Sequence, residues 1–86
     1  MASLERILKA FASKRRLAIL KYLMSHTAAP VGELADNIKL SFRSTSKHLA
    51  VLTAADIVEY EPRSRQIFYR LVSSPTSVIR KLLNLI

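Results

Sequence analysis

Cysteine is absent from the sequence, and glycine occurs only once. Without cysteine, the chain has no disulfide bridge and no thiolate ligand for a metal. The single glycine and three prolines, together with 50% hydrophobic residues, exclude a disordered or low-complexity chain. The 86 residues are enough for one domain, residues 1–86, and a core this small without covalent staples usually needs a second subunit.

Acidic residues are also scarce, since six Asp and Glu stand against 14 Lys and Arg, a formal net charge of +8. This balance favours a polyanionic partner, with nucleic acid first and an anionic membrane surface second. No uncharged apolar run approaches the roughly 20 residues of a spanning helix, and the N-terminus lacks a signal-peptide pattern. We therefore expect no membrane partner and a cytoplasmic, nucleoid-associated location of the prokaryotic type.

Apolar residues at helical spacing predict two amphipathic helices at the start of the chain. Ser3 and Ser13 are suitable N-caps for them. The apolar stripe of the first helix consists of Leu4, Ile7, Leu8 and Phe11. The expected face of the second consists of Leu17, Leu20 and Met24, widened by Ile19 and Leu23. The segment 25–30 then ends the second helix.

The next segment predicts two helices separated by a tight turn. A short helix over 31–38 has Leu34, Ala35 and Ile38 on its inner face. Lys39 and Leu40 form the turn, and Ser41 caps a helix that runs to about residue 55. Its buried side is expected to consist of Thr45, Leu49 and Leu52. This arrangement is a helix-turn-helix.

After residue 56 the apolar period changes to two. Residues 57–61 and 66–72 are predicted strands, joined by residues 62–65. Ser74 and Pro75 stand where an N-cap and a first helical residue belong, and a last apolar stripe follows. The predicted fold is mostly α with a small β-hairpin (α+β), in the order α-α-α-α-β-β-α.

Four local motifs occur in this order along nearly the whole chain. They are FASKRRLAIL at 11–20, VGELA at 31–35, LSFRSTSKHL at 40–49 and IFYRL at 67–71. Together they resemble the winged helix-turn-helix repressors of the arsenic-repressor (ArsR) family. The resemblance implies that 31–38 is the positioning helix, that the helix after Ser41 is the recognition helix, and that the hairpin is the wing. Lys39, Asp56 and Ser64 occupy positions where the family usually has glycine, and Phe42 replaces a usual polar residue.

The predicted recognition helix has a cationic outer side. If Thr45, Leu49 and Leu52 face the core, Arg43, Ser46, Lys47 and Ala50 lie opposite, on the side that enters the major groove. Only an arginine offers a planar fork for guanine O6 and N7, so base recognition is assigned first to Arg43. The expected DNA-binding residues are Ser41, Phe42, Arg43, Ser44, Ser46, Lys47, His48, Arg63, Ser64, Arg65, Lys14 and Arg15.

Several of these residues have a second interpretation. Basic residues on a helix face or at a hairpin tip are often merely solvated. Arg16 is equally compatible with an internal pair with an acid. Phe42 is compatible with packing at the helix start or with a thymine methyl contact. His48 is compatible with packing or with a phosphate contact.

In the family, the terminal helices pair across a two-fold axis, so the resemblance implies a homodimer. The expected interface residues are Leu4, Ile7, Leu8, Phe11, Val78, Ile79, Leu82, Leu83 and Ile86. One alternative is that both stripes close the core of a monomer. Another is that the last helix, with Arg80 and Lys81, lies on a lipid surface.

No ligand set for a metal or cofactor is evident. His26 and His48 are the only histidines, and no carboxylates accompany them at metal-ligand spacing. The metal-sensing function of many relatives therefore does not carry over, and neither a metal nor a cofactor is expected. No phosphate loop, nucleophile elbow or catalytic carboxylate pair is present, so we do not expect an enzyme.

The expected function is sequence-specific binding of double-stranded DNA by a dimeric repressor on an inverted repeat. The two recognition helices would lie about 34 Å apart, one duplex turn. The main alternative is a winged-helix module that binds another protein. RNA binding is a third, less favoured because exposed aromatic residues for base stacking are not evident beyond Phe42.

Overall fold

The computed structural model describes residues 2–86, which form five helices and three strands. In chain order they are α1 (Leu4–Phe11), α2 (Lys14–Ser25), β1 (Ala29–Pro30), α3 (Val31–Ile38), α4 (Phe42–Ala54), β2 (Val58–Arg63), β3 (Gln66–Leu71) and α5 (Ser77–Leu83). The predicted α+β class is confirmed. The sequence interpretation omitted β1 because two residues give no periodic pattern.

Hydroxyl N-caps set the starts of α1, α2, α4 and α5, whereas α3 follows Pro30 without a side-chain cap. The Oγ atoms of Ser3, Ser13 and Ser41 each accept a hydrogen bond from the backbone N–H three residues on, at 3.1–3.2 Å. These three predicted caps are confirmed. The predicted start of α5 is wrong, since its N-cap is Thr76 and not Ser74. The two sites offer the same hydroxyl chemistry, so the local sequence did not distinguish them.

The sheet is antiparallel in the order β1-β3-β2. In β2 and β3, Val58 pairs with Leu71 and Arg63 pairs with Gln66. The connection is therefore only Ser64 and Arg65, shorter than the predicted 62–65. Pro62 lies within β2, where its missing N–H is tolerated because β2 is an edge strand.

The core lies between the five helices and the base of the hairpin. Its fully buried side chains include Ile19, Leu20, Leu34, Leu49, Leu52, Ile57 and Ile79. The predicted inner faces of α3 and α4 are confirmed. On α2 the buried residues are Ile19, Leu20 and Leu23, whereas Met24 is 44% exposed. The prediction for Met24 is wrong because Met24 lies to one side of the helix face on which Ile19, Leu20 and Leu23 pack against the core.

Three non-glycine residues adopt a positive φ, namely Lys39, Asp56 and Ser64, at 56° to 59°. These are the positions at which the family resemblance leads one to expect glycine. After α3, the N–H of Leu40 donates to the carbonyl of Ala35 at 3.0 Å, which satisfies a carbonyl at the helix end. The turns therefore form without glycine. The left-handed conformation costs about 1 to 2 kcal/mol for each residue that has an ordinary side chain.

Candidate nucleic-acid interface

The recognition helix α4 follows α3 after the three residues 39–41. Thr45, Leu49 and Leu52 are fully buried and attach one side of α4 to the core. On the opposite side Arg43 and Lys47 are exposed, and Ala50 is exposed one turn further on. The fold therefore leaves the cationic side of this helix open to solvent, as the spacing predicted.

This open side carries no opposing charge. Residues 41–55 contain no Asp or Glu. Within residues 2–86, Arg43 and Lys47 make none of the salt bridges, all of which involve other side chains. The N-terminus of α4 adds the positive end of the helix dipole. The site is thus suited to a polyanion.

The start of α4 is held by its own side chains. The Ser41 hydroxyl accepts from the N–H of Ser44 at 3.1 Å, and the Thr45 hydroxyl donates to the Ser41 carbonyl at 2.8 Å. Ser44 and Ser46 are half-buried on the two flanks of the helix. In the first turn after the Ser41 cap, the exposed residues are therefore Phe42 and Arg43.

Arg16 connects the recognition helix to α1. Its Nε donates to the carbonyl of Ala10 at 2.7 Å, and its Nη2 donates to the carbonyl of Lys9 at 3.0 Å. Its Nη1 lies 3.1 Å from Nδ1 of His48. The alternative of an internal acid partner is wrong, since Arg16 enters no salt bridge among residues 2–86. Two carbonyls freed at the end of α1 take the place of the carboxylate.

The same contact defines the state of His48. Because a guanidinium only donates, Nδ1 must accept, so the ring is neutral with its proton on Nε2. Burial, and then the charges of Arg16 and Arg15, lower the pKa of His48 from 6.5. His48 therefore packs against α2 and is not a cation at neutral pH. Its Nε2–H is the group that a phosphate contact would use.

The two basic residues at the start of α2 differ in availability. Nη1 of Arg15 donates to the carbonyl of Ile38 at 2.6 Å, at the end of α3. Lys14 is exposed, and within residues 2–86 it pairs with no acid. Arg15 thus stabilises the turn before α4, whereas Lys14 is available to a partner.

The wing, residues 58–71, carries a network of charges on one face. Arg70 bonds Glu59 at 2.8 Å and Glu61 at 3.1 Å, and Nη2 of Arg63 donates to Glu61 at 3.0 Å. The Arg63 hydrogen bond holds the pKa of Glu61 below its usual range. The Arg63 guanidinium also lies 4.7 Å from the centre of the Phe68 ring. Arg63 is therefore engaged within the wing.

Arg65 and Ser64 form the tip of the wing. Arg65 is exposed and makes no salt bridge within the described part of the chain. Ser64 is exposed with φ at 56°. The three predicted wing residues are consequently not equivalent, because only Arg65 presents a free cation.

An open cavity of about 210 Å³ separates the wing from the helix-turn-helix. Its lining consists of Pro30, Val31, Gly32, Phe42, Arg65, Gln66 and Ile67. The sequence interpretation assigned Gln66 and Ile67 only to a strand. The apolar alternation of β3 continues beyond the base of the wing as far as Ile67. This alternation is the feature of the sequence from which the apolar wall of the cavity could have been predicted.

The terminal apolar stripes divide between the core and the surface. Four of the expected interface residues, Ile7, Phe11, Ile79 and Leu83, are buried within the subunit itself. Leu82 and Ile86 are half-buried against the same core. Leu4 is 57% exposed, Leu8 is 47% exposed, and Val78 and Leu85 are also exposed. Leu85 was not among the expected residues because it lies off the helical stripe.

Two further observations on residues 2–86 concern other kinds of partner. None of the helices there combines the length and apolar character needed to cross a bilayer. No three His, Asp or Glu side chains within that range converge to hold a metal ion. His26 lies at the end of α2, where Nδ1 is 2.8 Å from the carbonyl of Tyr22 and the two rings stack.

The three-residue turn, the open cationic helix and the two-stranded wing define a winged helix-turn-helix protein. Residues 6–61 match the model of a helix-turn-helix domain family. The chain belongs to this family, which is of the ArsR type. It is therefore a DNA-binding regulator of transcription and not an enzyme.

Relatives with known sequences or structures agree with this assignment. The chain is 36% identical over 78 residues to the transcriptional activator HlyU of Vibrio cholerae, covering 91% of this chain and 71% of HlyU. The transcriptional repressor BigR of Xylella fastidiosa has a TM-score of 0.78 at 30% identity, over 95% of this chain and 80% of BigR. The homodimeric DNA-binding domain of Mb0332 from Mycobacterium bovis has a TM-score of 0.82 at 26% identity, over 95% of this chain and 72% of the Mb0332 chain.

Proposed function

We propose that the protein binds an inverted repeat in duplex DNA as a homodimer and represses transcription from the promoter it covers. The open, acid-free side of α4 carries this proposal. Arg43 lies in the first turn of the recognition helix, exposed and without an ionic partner among residues 2–86. Its planar fork matches the O6 and N7 acceptors of guanine in the major groove. Lys47, one turn further on, supports a second contact to a base or a phosphate.

Phosphate contacts come from the free cations around this helix. Arg65 at the wing tip and Lys14 at the start of α2 supply charge. The N–H of His48 and the hydroxyls of Ser44 and Ser46 supply neutral donors. Ser41, Ser64, Arg63 and Arg15 contribute mainly through structure, since their polar groups or backbones already hold the cap, the wing and α3. Neutralised phosphates give such binding its salt dependence.

The dimer is supported by the apolar residues that the subunit leaves uncovered. Leu4 and Leu8 lie on the outer side of α1, and Val78 and Leu85 lie in or beside α5. The similarity to Mb0332, a homodimer, supports dimer formation, and the uncovered apolar residues indicate the surface on which the subunits would pair. A two-fold axis between the subunits would set the recognition helices about 34 Å apart on successive major grooves.

Repression is the simplest regulatory consequence of this arrangement. Occupying an operator that overlaps a promoter needs only DNA recognition and dimer formation. The relatives include both repressors and activators, since BigR is a repressor and HlyU is an activator. A reporter gene with the selected operator placed over its promoter distinguishes repression from activation. Expression that falls when the protein is supplied supports repression, and expression that rises refutes it.

We also propose that DNA binding requires no metal and that the protein lies with the nucleoid in the cytoplasm. The chain has no cysteine, and Nδ1 of each histidine is engaged, by Arg16 in one case and by the Tyr22 carbonyl in the other. Protein dialysed against a chelator should keep its full affinity for the operator. A loss of affinity restored by one divalent metal would refute this part of the proposal.

The decisive experiment is selection of bound duplexes from a random pool, followed by titration of the selected duplex at several salt concentrations. We expect a conserved inverted repeat, and a log affinity that falls with log salt by about 0.9 per neutralised phosphate. The Lys21→Ala variant is the matched control, because Lys21 is an exposed cation of α2 outside the proposed interface. No enrichment and a flat salt response would refute DNA recognition and favour the protein-interaction alternative.

The dimer is tested by light scattering at micromolar concentration. The wild type should have twice the subunit mass, and Leu8→Glu should shift it to the monomer because a charge would enter an apolar interface. Met24→Glu, at an exposed site on α2, is the control and should remain dimeric. A monomeric wild type would contradict the proposal.

A further inference from the structure

Phe42 is the first residue of the recognition helix, yet it is not part of the core. Its side chain is 63% exposed, the highest exposure of any aromatic residue among 2–86. Most of the ring is therefore not packed at the helix start, which was one of the two interpretations of Phe42. An exposed phenyl ring has an unfavourable contact with water, so a partner that covers it would be favoured. Its position at the start of α4 is the place where recognition helices contact base edges.

The surroundings of Phe42 are apolar and open. The ring lines the cavity of about 210 Å³, together with Pro30, Val31 and Ile67 of the wing. Ile67 is itself 40% exposed. Gly32 lies at the edge of the same cavity, and a Cβ there would meet nothing within 4 Å. The cavity thus has room and apolar walls, but no side chain among residues 2–86 fills it.

The charges around the cavity indicate which partner covers it. Arg65 lines it directly, and Arg43 is the neighbour of Phe42 along the chain. Neither residue has an acidic partner among residues 2–86. An apolar surface between two free cations matches duplex DNA, which offers phosphates and apolar groups together. An apolar protein surface or a lipid tail would leave both arginines without partners.

We infer that the ring of Phe42 contacts the 5-methyl group of a thymine in the major groove, and so selects thymine at one position of each half-site. Phenylalanine donates and accepts no hydrogen bond, so it distinguishes bases only by an apolar group. The thymine methyl is the apolar group that base pairs present on the edge of the major groove. This inference rests on the proposed function, and it adds a second kind of base recognition to the polar one of Arg43.

The test replaces single thymines of the selected operator by deoxyuridine, which removes the methyl group and leaves pairing unchanged. For the wild type we expect one position per half-site at which this change weakens binding by about three- to tenfold, the value of one to two buried methyl-sized contacts. For Phe42→Ala we expect weaker binding to the thymine operator and less than about twofold discrimination at that position. Phe42→Leu should restore part of the discrimination.

The control is Val51→Ala, which removes an exposed apolar side chain from the other flank of the same helix. It should discriminate thymine from deoxyuridine as the wild type does. Thermal unfolding of Phe42→Ala should match the wild type, because the ring is largely exposed. A wild type that binds every deoxyuridine operator within twofold, or a Phe42→Ala variant that keeps the discrimination, overturns the inference while leaving DNA binding intact. Failure of the proposed function differs, because no operator would then be selected.

Discussion

The recognition helix and the wing are both rich in cations, but they present them differently. On α4, Arg43 and Lys47 have no acidic neighbour, because residues 41–55 contain no Asp or Glu. On the wing, Glu59 and Glu61 hold Arg70 and Arg63 in ion pairs of 2.8 to 3.1 Å. A count of basic residues therefore overestimates the charge that a nucleic-acid interface offers. The charge available to a phosphate is the charge that the subunit has not already paired.

The largest effect is expected on the recognition helix. Arg43→Ala should weaken binding to the selected operator by about 1 to 3 kcal/mol and relax the preference at one base position. The physical reason is the loss of a two-pronged hydrogen bond to guanine. Repeating the selection with the variant measures both effects. An unchanged sequence preference would show that the base-contacting side of α4 is assigned incorrectly.

The wing should respond more weakly and unequally. Arg65→Ala should lower affinity for all duplexes by about two- to fivefold, and reduce the salt slope by about 1.8, because each subunit of the dimer loses one phosphate contact worth about 0.9. Arg63→Ala should change both quantities less, because Glu61 already neutralises Arg63. Binding titrations at several salt concentrations measure the difference. Equal losses for the two variants would mean that the Arg63 to Glu61 pair does not persist on DNA.

Glu61→Gln provides the matched test on the acidic partner. It releases Arg63 and one bond of Arg70 without shortening the side chain. Affinity for duplex DNA should therefore rise, and the salt slope should become steeper. A Glu5→Gln variant, which releases only Lys9 of α1, serves as the control. No gain in affinity for Glu61→Gln would remove the distinction drawn between wing and helix.

The turns on either side of α4 each contain a residue with a positive φ, which is 56° at Lys39 before the helix and 59° at Asp56 after it. Lys39→Gly should stabilise the protein by about 0.5 to 1 kcal/mol. Glycine removes the steric cost of the left-handed conformation, but it also loses more conformational entropy on folding, which offsets part of the gain. Asp56→Gly should gain less, since aspartate tolerates this conformation better. Denaturant unfolding measures both. A destabilised Lys39→Gly variant would contradict the strain argument.

The smallest effect concerns pH. The pKa of His48 is lowered on folding, so the unfolded chain binds the proton more tightly than the folded one. The stability due to neutral His48 is fully present above pH 6.5 and decreases as the pH falls from there towards the folded pKa. The pKa of Glu61 is also lowered, so the stability due to its ion pairs is lost only below pH 4.5. The contact between Arg16 and His48, which holds α4, should therefore weaken at a higher pH than the ion pairs of the wing.

Thermal unfolding between pH 7.5 and 4 tests this order. His48→Gln should remove the decrease below 6.5, because glutamine keeps an acceptor for Arg16 but does not titrate. Glu61→Gln should leave that decrease in place. A wild type with constant stability from pH 7.5 to 5 would show that the contact between Arg16 and His48 does not control the protonation of His48.

Much of the fold could be predicted from the sequence, because its signals are local. The caps at Ser3, Ser13 and Ser41 act within one helical turn, and the buried sides of α3 and α4 follow from apolar spacing. The cationic side of α4 follows from the same periodicity. Where two nearby residues offer the same capping group, the sequence does not decide between them. This is the case at the start of α5, where Thr76 and Ser74 are equivalent N-cap candidates.

The tertiary structure alone decided which of these groups are free. Arg16 bonds the end of α1 and His48, a residue 32 positions away, and Arg15 bonds the carbonyl of Ile38. Strand β1 exists because Ala29 pairs with Tyr69. Phe42 is exposed because the wing stops short of it and leaves a cavity. Each of these outcomes depends on groups far apart in the chain, whose distances are set by packing and not by local conformational preference.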